Sequence, residues 1–336
     1  MLRPSRISLG TYPTPVTPVT RVSPGLWVKR DDLTATVYGG NKVRKLELLL
    51  GAARDAGKSR VLTVGAVGSH QVVATAIYGA REGFEVAAVL VSQPASAHAE
   101  RNIRIALAHG LDATPCPAWS LAPAYVASRW GKGTYFVPLG GSNALASLGY
   151  VDAAHELAAQ VAAGELPEPD VVVVALGSGG TAAGLAVGFE QIGMRTRVIG
   201  VAVSPPTRML AHLARRLTRK TAEAAGLPTA AAFRAVARIE VDGSWMGKGY
   251  GYPTAEGAAA IEGGARAGLA LDTTYAAKAF ACALARVRAS ASAEPRETTL
   301  FWNTLSSASL DGLPGAEANE PSGLPPEVAH LLMPSR

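Results

Sequence analysis

Short runs of valine and leucine recur along this chain, each followed by a stretch whose apolar residues return every three or four positions. Val61–Val64, Val86–Val91, Phe136–Leu139, Val171–Leu176, Arg197–Val203 and Thr298–Trp302 read as strands, and none alternates apolar with polar residues. Strands of that kind are buried on both faces, as in parallel sheets. Between and after them, helical periodicity covers Gln71–Arg81, Ala97–His109, Leu121–Arg129, Ser142–Ala163, Thr181–Ile192, Pro206–Ala225, Thr254–Ala267 and Thr273–Arg288. Alternation of the two patterns predicts an α/β chain with largely parallel sheets. Ahead of it, Leu9–Val22 holds Pro13, Pro15 and Pro18 and reads as an extended lead-in, Leu26–Arg30 as a short strand. Pro314–Arg336 reads as a docked or loose tail with one amphipathic run, Pro325–Leu332.

Composition narrows the function classes. With 336 residues the chain is long enough for two domains, and 48% hydrophobic content supplies a large core. The net charge of +6 raises nucleic acid as a partner, but the basic residues are scattered and aromatics make up only 6%, so no nucleic-acid partner is expected. The densest basic group (Arg208, Arg215, Arg216, Arg219, Lys220) reads as the solvated face of one helix, and the excess suits an anionic cofactor and substrate. Cys116 and Cys282 lie far apart, and the six histidines lack metal-ligand spacing, so neither a disulfide framework nor a metal site is expected. The first residues, MLRPSRISLG, contain no apolar leader and no run is long enough to span a bilayer; the expectation is a soluble cytoplasmic protein with no membrane partner.

Gly39–Glu47, GGNKVRKLE, carries the first candidate chemistry. Two glycines permit a sharp turn, Asn41 is a good N-cap, and Lys42 then falls in the first helical turn. The positive end of a helix dipole disfavours a cation there but favours a neutral amine or a lysine held as an imine. Lys42 is therefore expected to carry pyridoxal phosphate (PLP), and Lys45, one turn on, to help hold its phosphate. The second signal is Gly177-Ser178-Gly179-Gly180-Thr181, between a valine strand and a helix. Its amides and the helix N-terminus suit a small phosphorylated cofactor. It has neither the nucleoside-triphosphate nor the dinucleotide glycine spacing. Ser69 and His70 open the helix after GAVGSH, where donors can hold a carboxylate or a cofactor hydroxyl. Tyr250 and Tyr252 lie in GKGYGYP, Tyr275 follows Asp272-Thr273-Thr274, and Thr304 follows the last strand. Loop tyrosines at such places serve as acids or lids, or merely pack.

Together these segments resemble the 1-aminocyclopropane-1-carboxylate (ACC) deaminase / D-cysteine desulfhydrase family of tryptophan-synthase-β-like PLP enzymes. The matching text is LWVKRDD, GGNKVRKLE, GGSNALASLGYVDAA, GSGGTAAGL, GYGYPTAEG and LDTTYAAKA, running in order from about Leu9 to Thr304. The resemblance implies two three-layer α/β domains with PLP in the cleft between them. The larger domain would comprise residues 1–58 plus 165–336, the smaller one 59–164, and the protein would be a homodimer. It implies that Lys42 is the cofactor lysine and Gly177–Thr181 the phosphate loop. Tyr275 and Tyr250 would be the tyrosines near the substrate, and Thr304 would face the pyridine nitrogen. Two segments depart from the family. Ser69-His70-Gln71 stands where Ser-Asn-His is usual, putting His70 in place of the asparagine that bonds the ring hydroxyl. Asn303-Thr304-Leu305-Ser306 stands where His-Thr-Gly-Gly is usual.

The reaction expected is α,β-elimination from a small amino acid. Lys42 removes the α-proton, Tyr275 or His70 assists the leaving group, and Ser69 holds the carboxylate. Products are a 2-oxo acid and ammonia. The alternatives are ACC deamination, another PLP reaction such as racemisation or β-replacement, and PLP binding without catalysis. After the tyrosine the deaminase pattern has Glu and the desulfhydrase pattern Thr; here Ala276 stands there.

Overall fold

Six strands build the largest sheet among the described residues: β1 (Val16–Pro18), β2 (Leu26–Lys29), β8 (Val171–Leu176), β9 (Arg197–Ala202), β10 (Ile239–Asp242) and β11 (Thr299–Trp302), in the order β1-β2-β11-β8-β9-β10. Only the β1–β2 pair is antiparallel. The valine run of β8 shows why the strands carry no polar face. Val171 and Val173 pack with Val28, Ile199, Phe280 and Phe301 on one side, and Val172 and Val174 with Val198, Leu185, Phe189 and Trp302 on the other. Helices cover both sides, so each alternate residue is buried. On one side lie α9 (Ala255–Arg266) and α10 (Ala276–Ala289). On the other lie α5 (Ala144–Ala162), α6 (Gly180–Ile192) and α7 (Thr207–Ala224), with α8 (Thr229–Ala237) against α6 and α7.

The computed structural model describes residues 4–20, 22–292, 296–317 and 324–333. Its contacts separate a larger unit, Gly10–Lys45 with Ser142–Ala308, from a smaller one, Leu46–Gly141 with the described parts of Leu2–Leu9 and Ser309–Arg336. In the smaller unit β3 (Arg60–Ala66), β4 (Glu85–Val91), β6 (Asp112–Cys116) and β7 (Thr134–Val137) form a parallel sheet in the order β6-β4-β3-β7. Leu62, Val64, Ala87, Val89, Cys116 and Ala122 make one of its cores. The helices here are α2 (His70–Arg81), α3 (Ala97–Ala108) and α4 (Ala122–Ser128), and α11 (Pro326–Ala329) is followed by β12 (Leu332–Met333), which pairs with β5 (Gln93–Pro94). Helix α1 (Asn41–Asp55) begins in the larger unit.

These boundaries differ from those read in the sequence. Helix α5 falls with the larger unit because it packs directly on α6: a side chain at Gly184 would collide with the Ser147 carbonyl and Tyr150. The described tail falls with the smaller unit, through β12 on β5. Strands β6 and β10 and helix α8 were not expected. DATPC and IEVD are short and polar because they are edge strands, and the alanine-rich TAAAFRAVA lacks a clear apolar stripe.

Candidate active site

Helix α1 starts on the segment that follows β11. The amide of Asn41 donates to the Thr304 carbonyl (3.1 Å), and Gly40 just before it has φ +86°. A Cβ at Gly40 would stand 2.5 Å from that same carbonyl, so only glycine allows both the turn and the approach. Asn41, expected as the N-cap, is instead the first helical residue; its side-chain amide donates to Thr181 Oγ1 (3.1 Å), in the glycine turn before α6. The register of α1 is fixed further by Arg44. Its guanidinium donates to Asp31 (2.9 and 3.0 Å) and Glu156 (2.9 Å), and Tyr150 Oη also donates to Asp31 (2.8 Å). Burial by itself would raise the Asp31 carboxyl, but Arg44 and Lys29 hold it below its ordinary value.

Lys42 and Lys45 lie one turn apart on this anchored helix. Loss of hydration pushes the Lys42 amine down to about 8, against the opposing pull of the Asp272 carboxylate. At pH 7 about a tenth of the amine is therefore uncharged and nucleophilic, and it is burial that brings this about. Lys45 is 1% exposed, and burial together with the Lys42 charge holds it well below the ordinary lysine value. Its Nζ donates to Ser142 Oγ (3.0 Å), which lies 2.7 Å from Ser178 Oγ. Gly179 has φ +86° and precedes α6, whose first residue is Gly180. A Cβ on Gly180 would come within 2.5 Å of Ser142 Oγ and 3.1 Å of Lys45 Nζ. The result is a cradle of three hydroxyls (Ser142, Ser178, Thr181), an amine and a helix N-terminus, with backbone kept bare where the amine approaches. Such a donor set suits a phosphate dianion, and the half-buried Lys42 beside it suits an aldehyde. The residues present therefore fit PLP.

On the other side of Gly177, a Cβ would meet Tyr275 at 3.2 Å. Tyr275 Oη donates to Tyr250 Oη (3.0 Å), the rings standing edge to face at 5.6 Å. Burial pushes Tyr250 up to about 12, with the Tyr275 hydrogen bond pulling the other way, and burial and Tyr250 raise Tyr275 well above its ordinary value. Both phenols hold their protons at neutral pH, which makes them donors rather than bases. Asp272 sits at the centre of this electrostatic arrangement. Its carboxylate caps the start of α10, accepting from the amides of Thr274 (3.0 Å), Tyr275 (2.9 Å) and Ala276 (2.8 Å), and its charge acts on Lys42, Tyr250, Tyr275 and Lys278.

Ser69 and His70 lie in the smaller unit. Ser69 is the N-cap of α2, its hydroxyl accepting from the Gln71 amide (3.2 Å). His70 Nε2 lies 3.0 Å from His98 Nε2, which is 3.1 Å from Asn102 Nδ2. The Asn102 amide orientation is fixed by donation to the Gly68 carbonyl (2.9 Å). An amide nitrogen can only donate, so His98 Nε2 accepts, and His70 must carry its proton on Nε2.

The larger unit brings together Lys42, Lys45, Gly177, Ser178, Gly179, Gly180, Thr181, Tyr250 and Tyr275, and Thr304 through its backbone. Ser142, Asn41 and Asp272 were missed as site residues. Ser142 lay in GGSNAL without a partner to suggest its role, while Asp272 three positions before Tyr275 carried a readable capping signal. Among the described residues no cluster of three metal-ligating side chains occurs, and no helix is long and apolar enough to cross a membrane.

Comparison with known proteins agrees with this chemistry. A D-cysteine desulfhydrase of Klebsiella pneumoniae (strain 342) is 37% identical over 294 residues, covering 82% of this chain and 86% of the relative. One from Yersinia pestis is 36% identical over 291 residues, with the same coverage. Nocardicin C-9' epimerase of Nocardia uniformis subsp. tsuyamanensis is 35% identical over 335 residues, 96% of this chain and 97% of that one. The crystal structure of an ACC deaminase homologue superposes with a TM-score of 0.75 at 30% identity, covering 90% of this chain and 91% of the other. Residues 7–304 match the family model described as pyridoxal-phosphate dependent enzyme. The α/β fold, the resemblance read in the sequence and the cofactor chemistry of the cradle thus converge, and the chain belongs to the family of pyridoxal-phosphate-dependent enzymes.

Proposed function

We propose that this enzyme catalyses α,β-elimination from a small amino acid, in the manner of a D-cysteine desulfhydrase. From cysteine and one water the products are pyruvate, hydrogen sulfide and ammonia. The observation that carries the reading is the pairing of a lysine amine brought down to about 8 with two buried phenols that keep their protons. Lys45, Ser142, Ser178, Thr181 and the amides opening α6 hold the cofactor phosphate. Bound PLP supplies the electron sink that makes the substrate α-proton acidic. Lys42, uncharged in part near neutral pH, takes that proton. The Tyr275–Tyr250 pair stabilises or protonates the departing thiolate: Tyr275 places its proton on Tyr250, and the Tyr250 proton is the one left to donate. Ser69 and the leading amides of α2 are the carboxylate-binding part of the smaller unit. The homodimer and the cytoplasmic location belong to this reading too, and light scattering on the purified protein tests the first.

A second reading is inversion at Cα without elimination, favoured by the epimerase relative that covers 96% of the chain. Ala276, where the deaminase pattern has Glu, weighs against ring opening of ACC. One screen separates them: PLP-loaded protein with D-cysteine, L-cysteine, β-chloroalanine and ACC, read by 2-oxo acid release and, in deuterium oxide, by α-proton exchange. Release from a cysteine supports elimination. Exchange with inversion and no 2-oxo acid overturns it in favour of epimerisation, and no turnover or exchange with any substrate overturns both.

A further inference from the structure

Three positions beyond Tyr275, Lys278 is completely buried on α10. Its ammonium donates to the backbone carbonyls of Met246 (2.8 Å) and Gly249 (2.9 Å). Both carbonyls belong to the loop between β10 and α9, which carries Tyr250. A buried amine gives up its hydration, and a methionine of similar length would fill the space without that loss. What the amine adds is two charge-assisted bonds to a segment with no ladder of its own. The start of α10 therefore grips this loop twice: through the Tyr275 hydroxyl on Tyr250, and through Lys278 on the carbonyl of the residue just before Tyr250.

We propose that Lys278 is a positioning residue whose ammonium clamps the loop from Gly243 to Thr254 and so holds the Tyr250 hydroxyl on Tyr275. The role rests on the tyrosine pair belonging to the reactive site, so its test reads the loop before it reads turnover. Lys248 lies exposed between the two gripped carbonyls and gives trypsin a cutting point.

In the PLP-loaded enzyme, Lys278→Met is expected to speed cleavage after Lys248 by about tenfold or more, the loop now opening without global unfolding. It is expected to lower kcat about tenfold with KM changed less than about twofold. In a Tyr250→Phe background the same substitution should lower kcat by less than about twofold, because its effect runs through the missing hydroxyl. Unchanged cleavage, or an equal loss of kcat in both backgrounds, overturns the proposal and leaves Lys278 a packing residue. If Lys278→Met does not fold, Tyr250→Phe alone decides. With the clamp intact its cleavage rate should stay within about twofold of wild type, whereas a tenfold rise would show that the tyrosine pair holds the loop. The cleavage readout stands even if the enzyme turns over none of the amino acids named above, so failure of the clamp and failure of the proposed reaction are distinct results.

Discussion

Replacing Lys42 by methionine should stabilise the protein once the cofactor is removed. The folded state depresses this amine from 10.5 to about 8. Each tenfold change in acidity is worth about 1.4 kcal/mol, so holding the proton on the folded chain costs up to about 3 kcal/mol. The sign follows from proton counting. Below about pH 8 both folded and unfolded chains carry the proton, and the folded chain bears the full cost. Between about 8 and 10.5 the unfolded chain binds more protons than the folded one, so stability rises with pH. Above 10.5 neither is protonated and the cost is gone. Lys42→Met keeps the stem and removes the charge, so its urea midpoint, followed by tryptophan fluorescence on apoprotein at pH 7, should exceed that of wild type. The gain should approach about 3 kcal/mol as an upper bound and fade as the pH rises from about 8 to 10.5. Lys220→Met, at an exposed position, is the control and should move stability by less than about 0.5 kcal/mol. A Lys42→Met apoprotein no more stable than wild type at pH 7, or one whose gain persists undiminished in alkali, refutes the reasoning.

Other substitutions test the rest of the site. Gly180→Ala puts a methyl 2.5 Å from Ser142 Oγ and 3.1 Å from Lys45 Nζ, and should weaken PLP binding about tenfold or more by absorbance titration while far-UV circular dichroism is unchanged. Asp272→Asn removes the charge that raises Lys42, Tyr250, Tyr275 and Lys278, so tyrosinate absorbance should develop at lower pH than in wild type, where Tyr250 ionises near 12; no shift, or an upward one, would contradict the assignment. Arg44→Ala leaves Asp31 and Glu156 without their guanidinium and should cost about 3–5 kcal/mol by chemical denaturation, since Asp31 is fully buried.

Much of this architecture is legible in the amino-acid order because its strongest elements agree with themselves at short range. The β8 valines can only be a strand buried on both faces, and Gly177–Thr181 must turn before α6 can begin. The edge strands β6 and β10 hide because, among the described residues, one side of each has no neighbouring strand to demand apolar residues. Within the site, the glycine turn and Lys42 announce themselves by local chemistry, whereas Ser142 acquires meaning only when the fold sets it between Lys45 and Ser178, positions 97 and 36 residues away in the chain. Lys278 is hidden for the same reason: its partners are two carbonyls, and backbone atoms leave no mark in a sequence.

Strand β2, near the amino end, hydrogen-bonds along β11, formed by residues 299–302, and β11 in turn lies against β8. During synthesis, then, β2 has only β1 beside it until some 270 further residues have emerged (about 299 − 29) and its parallel neighbour exists. Helix α1 rests its first amide on residue 304, so Lys42 beside it is among the last parts to gain a fixed seat. A ribosome-bound fragment ending short of β11 should therefore be a client for chaperones and unable to capture the cofactor, with competence arriving late and abruptly as β11 slots between β2 and β8.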